Sequence, residues 1–110
     1  MKTREEALRD LVELRTPVRA AAAQLKGFGW DSDTELLRLE HRDVRRVLQS
    51  FLDGNLSDDD VAEWADSIEG RDDIDFQSPR MIDLVFQLAN PDINGPLTAA
   101  DAREILASLR

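Results

Sequence analysis

Apolar residues recur along the chain at the spacing of three and four residues that is typical of amphipathic helices. The clearest pattern follows Asp43, and its apolar positions are Val44, Val47, Leu48, Phe51 and Leu52. A second pattern follows Ser57, and its apolar positions are Val61, Trp64, Ala65 and Ile68. These patterns predict two helices that end at Gly54 and Gly70, each with one buried face, and they place Trp64 in the core.

Start and stop signals divide the rest of the chain into further helices. Thr3 opens a capping box, and Thr16-Pro17 predicts a break or a kink between two helical segments. Ser78-Pro79 begins a helix that is apolar on almost all sides and therefore belongs in the middle of a bundle, and Thr98 begins the last helix. We predict an all-α fold, a single compact bundle of five to six short helices, in one domain over residues 1–110.

Two segments between the predicted helices have weaker patterns. Residues 30–40 carry leucines that could open a helix, but we interpret this segment as irregular or extended. The stretch from Arg71 to Gln77 is rich in charged residues, and we predict a polar connector there.

The negative charge of the chain is concentrated in one segment. The 110 residues carry 14 Lys and Arg against 23 Asp and Glu, a formal net charge of −9. Residues 53–75 alone contain ten acidic side chains and one basic side chain, Arg71. Helical spacing places part of this charge opposite the apolar face that includes Trp64. We predict an acidic binding surface formed by Asp58, Asp59, Asp60, Glu63, Asp66, Glu69, Asp72, Asp73 and Asp75.

Two interpretations of this acidic surface remain open. Acidic residues in a first helical turn stabilise the helix, and a solvated acidic face keeps a protein dispersed. Alternatively, the surface docks a basic protein partner, in which case its charge raises the rate and the specificity of association. The same charge argues against direct binding to nucleic acid or to an anionic membrane.

The sequence offers little support for catalysis or for metal binding. Asp53, Asn55, Ser57 and Asp59 match the first positions of a calcium loop, but Asp58 replaces its glycine and Trp64 replaces its bidentate glutamate. The chain has no Cys, and His41 is its one histidine, which argues against zinc. No nucleophile motif is present. We expect a protein that is not an enzyme and that needs neither a metal nor a cofactor.

Two smaller features also have more than one interpretation. Arg42, Arg45 and Arg46 form a basic cluster that is either a solvated face, a phosphate contact, or a set of partners for the acids beyond Gly54. Phe28 and Trp30, in a turn with two glycines, either cover one end of the bundle or form an exposed aromatic anchor.

The segment from Val47 to Trp64, VLQSFLDGNLSDDDVAEW, has a helix that ends in Phe-Leu-Asp-Gly, a serine cap and an acidic helix with an aromatic residue. Over about residues 43–89 this arrangement resembles the small acidic helical immunity proteins of the colicin D type. The resemblance implies a cytoplasmic inhibitor that binds a cognate bacterial nuclease toxin through acidic residues. Individual contact residues of that family cannot be matched to positions of this chain.

The alternative function is a helical regulatory or self-associating module. It is suggested by the nearly all-apolar helix after Pro79 and by the aromatic turn at Phe28. The oligomeric state stays open. No apolar run approaches the roughly 20 residues that a bilayer span needs. The first residues also lack an apolar signal region. We therefore expect a cytoplasmic protein with no membrane partner.

Overall fold

The computed structural model describes residues 3–29 and 34–109, which form seven helices and two short strands. The helices are α1 (Arg4–Val12), α2 (Val18–Lys26), α3 (His41–Leu52), α4 (Asp58–Asp66), α5 (Pro79–Ala89), α6 (Pro91–Asn94) and α7 (Ala99–Ser108). The strands are β1 (Leu37–Leu39) and β2 (Ile74–Phe76). The predicted all-α class is confirmed. The helix count exceeds the predicted five to six because one short helix, α6, follows Asn90. None of the described helices is long and apolar enough to cross a membrane.

The break at Thr16-Pro17 is confirmed, since it separates α1 from α2. Helix α1 begins at its predicted cap, where Thr3 Oγ1 accepts a hydrogen bond from the amide of Glu6 at 3.2 Å. It ends before Leu14, whose φ of 56° lies in the left-handed region. Pro17 then precedes the first residue of α2. The two helices pack against each other, and α2 also packs against α4.

The two strands form a parallel pair, with Leu37 opposite Ile74 and Leu39 opposite Phe76. The expectation of extended chain near Leu37 is confirmed for β1. The prediction that residues 71–77 form only a connector is wrong, because this stretch contains β2. Three residues are too few for an alternating pattern to be visible, and the pairing joins segments that are separated by α3 and α4.

The core is centred on Trp64, which is fully buried as predicted. Its indole Nε1 donates a hydrogen bond to the carbonyl of Leu11 at 3.1 Å, so α4 is fixed to the end of α1. Helix α5 packs against α4, and α3 packs against α7.

Helix α5 corrects one expectation. It does not lie in the middle of the bundle, because only one of its faces is buried. That face consists of Met81, Leu84, Val85 and Leu88. Ile82 and Phe86 remain about half exposed, since the described helices and strands pack against the opposite side.

Candidate interaction surface

Helix α4 owes its start to a reciprocal cap. Ser57 Oγ accepts a hydrogen bond from the amide of Asp60 at 3.1 Å, and Asp60 Oδ2 accepts one from the amide of Ser57 at 2.9 Å. This cap makes Asp58 the first helical residue. The carboxylate of Asp60, predicted as a contact residue, therefore already caps the start of α4.

Four other carboxylates of α4 are exposed or partly exposed. Asp58, Asp59 and Asp66 are exposed, and Glu63 is partly exposed. At 100° per residue, Asp59, Glu63 and Asp66 lie opposite the buried face that includes Trp64. We call Asp58, Asp59, Glu63 and Asp66 the α4 acidic surface.

The charge of the α4 acidic surface is not neutralised within the described part of the chain. No Arg or Lys there forms a salt bridge with any of its four carboxylates. Lys26 borders the same shallow depression as Asp66, but the two side chains form no salt bridge. The last turn of α4 also carries no base, so its negative end is not compensated locally.

Asp73 does not belong to this surface, and the prediction for it is wrong. Its side chain has no exposed area and accepts a hydrogen bond from Arg4 Nε at 2.7 Å and one from Arg71 Nε at 2.9 Å. Burial raises the pKa of Asp73, but the hydrogen bonds and charges of Arg71 and Arg4 outweigh it, so the pKa lies below its ordinary value. Arg71 also donates to the carbonyl of Gly29 at 2.8 Å. Asp73 therefore connects Arg4, at the start of α1, with Arg71, and its charge is not exposed to a partner.

The remaining predicted contact residues lie at the ends of the segment. Asp75 is half-buried on β2 and forms a salt bridge of 3.7 Å with Arg38, so an arginine of the amino-terminal half partly neutralises it. Asp72 is exposed and forms no salt bridge with a described residue. Glu69 is partly buried, and its Oε2 lies 3.5 Å from Asn90 Nδ2.

The three arginines of α3 have described partners near the start of α3 and at the end of α7. Arg46 pairs with Asp43 at 3.0 Å, and Arg42 lies 3.4 Å from Glu40. Arg45 donates to the carbonyl of Leu109 at 3.3 Å. The suggestion that these arginines pair with the acids beyond Gly54 is wrong for all described contacts, because nearer partners at the start of α3 satisfy two of them.

The structure shows which apolar residues of the helix after Pro79, and of the short helix that follows it, are exposed, a detail that the sequence interpretation did not provide. Ile82 is 52% exposed, Phe86 48% and Ile93 73%, and we call these three residues the apolar patch. A helical wheel of α5 contains the signal, because Ile82 and Phe86 are four residues apart and lie off the face of Leu84 and Leu88. Phe28 is exposed to 37%, whereas Trp30 and the turn residues after it lie outside the described residues.

An open groove of about 400 Å³ separates α5 from α7. Leu84 and Ile105 line it together with the polar side chains of Arg80, Asp83, Gln87, Asp101, Glu104 and Ser108. Among the described residues, no three His, Asp or Glu side chains are arranged to hold a metal ion.

His41 links the starts of two helices. Its Nε2 lies 3.3 Å from Ser78 Oγ, and its amide donates to Gln77 Oε1 at 2.8 Å. These contacts join the first residue of α3 to the segment that precedes α5.

In comparisons with known proteins, no protein-family model, no curated protein and no solved structure matches this chain.

Proposed function

We propose that the protein is an acidic protein-binding module that docks a basic surface of another protein through the α4 acidic surface. The observation that supports this proposal is that Asp58, Asp59, Glu63 and Asp66 form no salt bridge within the described part of the chain. Like charges three or four residues apart destabilise a helix by a few tenths of a kcal/mol per pair, roughly. A binding role accounts for Glu63 and Asp66, which lie beyond the first turn of α4 and do not stabilise the start of the helix.

The proposed partner is a basic bacterial toxin nuclease, and the proposed role is that of an immunity-like inhibitor. A nuclease binds the phosphate backbone with lysines and arginines. The carboxylates of α4 would occupy those side chains and exclude the nucleic acid. The resemblance of residues 43–89 to colicin D-type immunity proteins agrees with this role. The proposal puts the inhibition in the cytoplasm, where such a toxin would reach its nucleic acid.

The test is a charge reversal on α4 with a matched control. A partner captured from the source cell is purified, and its association rate is measured for the D59K/E63K/D66K variant. We expect association at low salt to slow by about tenfold or more, and the difference to shrink as salt screens the charges. The E5K/E35K/E104K variant changes the net charge equally but leaves α4 intact, and it should associate much faster.

Equal slowing in both variants would show that net charge alone matters and would refute a binding site on α4. The inhibitor role needs a second measurement, cleavage of nucleic acid by the purified partner. Full cleavage in the presence of saturating protein would contradict inhibition.

A second candidate function is a self-associating helical module, since the exposed side chains of Ile82, Phe86 and Ile93 could bury each other in a dimer. Sedimentation velocity across a wide range of concentrations tests it. A chain that stays monomeric at every concentration would refute self-association.

A further inference from the structure

The apolar patch is an exposed surface of large side chains on the helix that packs against α4. Ile82 and Phe86 share one side of α5, and Ile93 follows on α6; about half or more of each side chain is exposed. Large apolar side chains exposed to water are unfavourable, and on folded proteins such surfaces commonly mark interaction sites.

The apolar patch adjoins α4. Asn90 Nδ2 donates to the carbonyl of Phe86 at 2.7 Å and lies 3.5 Å from Glu69 Oε2, just beyond the end of α4. At the other end of α4, Asp58 and Asp59 border a narrow cleft together with residues of α6. Both ends of α4 therefore adjoin the segment that carries the apolar patch.

Exposed acidic residues lie close to the apolar residues in the chain. Asp83 and Asp92 are exposed and follow Ile82 and Pro91 directly in the chain. Between residues 72 and 102 the sequence contains one base, Arg80. Its guanidinium donates to Ser108 Oγ across the groove towards α7. The segment that carries the apolar patch therefore has more acidic than basic side chains.

Two occupants could cover the apolar patch, a second copy of the chain or a helix of another protein, and the charge near the patch favours the second. A second copy of the chain would bring like charges together, since each copy carries a net charge of −9. A basic amphipathic helix fits better, because its apolar face can cover Ile82 and Phe86 while its lysines and arginines meet acidic side chains such as Asp83 and Asp92.

We propose that the apolar patch docks one basic amphipathic helix of the partner protein. This inference rests on the proposed function and assigns a separate task to each surface. The charges of the α4 acidic surface set the association rate, and the apolar contacts at Ile82 and Phe86 set the dissociation rate.

The experiment uses the full chain and two synthetic peptides of identical lysine and leucine composition. One peptide places its leucines on a single helical face, and the other distributes them around the helix. Titration calorimetry measures the dissociation constants, and methyl NMR follows Ile82 and Ile93. We expect the amphipathic peptide to bind about tenfold or more tightly than the other, because only it buries apolar surface on the patch.

The I82Q/F86Q variant should lose this tenfold preference, and its dissociation from the amphipathic peptide should be faster. Its free energy of unfolding should stay close to that of the natural chain, since both side chains are about half exposed. The F28Q variant is the matched control, because Phe28 is an exposed aromatic residue outside the patch. It should keep the preference.

Equal binding of the two peptides, or unshifted methyl signals of Ile82 and Ile93, would overturn the proposal. A dimer of the chain that I82Q/F86Q abolishes would also overturn it, in favour of a second copy as the occupant. If D59K/E63K/D66K slows association while I82Q/F86Q changes nothing, the proposed function stands and the proposal that the apolar patch docks a helix is wrong. If only I82Q/F86Q weakens binding, the proposed role of α4 is wrong.

Discussion

Asp73 differs from the other carboxylates of the acidic segment because two arginines surround it. Arg71 is its near neighbour in the sequence, but Arg4 is 69 residues away. Nothing local distinguishes Asp73 from Asp72, which is exposed. The position of a long-range partner decides which of the two is buried, and a pattern of neighbouring residues contains no information about that partner.

Replacing Asp73 by Asn should destabilise the protein strongly. The substitution breaks the buried ion pair between Asp73 and Arg71, and breaking a buried pair by removing one charge costs about 3–5 kcal/mol. Urea denaturation gives the difference in the free energy of unfolding. Asp75→Asn is the matched control: its salt bridge to Arg38 is about half exposed at both ends, and its loss should cost at most about 1 kcal/mol. Equal losses in the two variants would contradict the structural role of Asp73.

The contribution of Asp73 should also depend on pH. In the unfolded chain its carboxyl takes up a proton near the ordinary pKa of 3.8, and in the folded protein it does so at a lower pKa. The stabilisation is therefore complete above pH 3.8 and is lost as the pH falls through the lowered value. The difference in unfolding free energy between the natural chain and Asp73→Asn should shrink in that acidic range. A difference that grows on acidification would refute this account.

At the scale of elements, the sequence predicts helix starts well and tertiary pairing poorly. The starts after Ser57 and Thr98 follow from capping residues within one turn, so local sequence suffices. The pairing of β1 with β2 and the exposed side of α5 depend on distant segments, and neither was predicted. Ser78 illustrates both points. As predicted, α5 begins directly after Ser78, but the Ser78 hydroxyl makes no capping hydrogen bond and instead lies near Nε2 of the distant His41.

The cap of α4 gives a prediction at this scale. Ser57→Ala removes the hydroxyl that accepts from the amide of Asp60, and we expect a loss of about 0.5–2 kcal/mol in unfolding free energy. Ser57→Thr keeps a hydroxyl and should retain most of the stability. Denaturation of the two variants under identical conditions provides the measurement, and an alanine variant as stable as the natural chain would show that Asp58 starts the helix without this cap.

For the whole molecule, counting residues locates the negative charge, but only the structure shows where that charge acts. Arginines from the amino-terminal half neutralise Asp73 and partly neutralise Asp75. The α4 acidic surface keeps its charge, and the apolar patch lies on α5, which packs against α4, and on α6, which shares a cleft with Asp58 and Asp59. The sequence predicted where the charge lies and suggested an apolar surface after Pro79, but not which residues form it, because exposure of an apolar residue depends on which neighbours pack against it.

Glu63→Gln tests whether the negative charge of the α4 acidic surface lowers the free energy of unfolding. Glu63 lies three or four residues from Asp59, Asp60 and Asp66, so its charge is repelled by each of them. Glutamine keeps the size of the side chain, and we expect the unfolding free energy to rise by about 0.5 kcal/mol at low salt. The gain should fade in high salt, because screening shortens the range of the repulsion.

The same substitution should slow association with a basic partner, since it removes charge from the α4 acidic surface. Stability and association rate would then change in opposite directions, which a purely solvated face does not predict. Denaturation and stopped-flow association, both measured at low and high salt, provide the comparison. A Glu63→Gln variant that gains stability but associates at the natural rate would favour the solvated interpretation of α4.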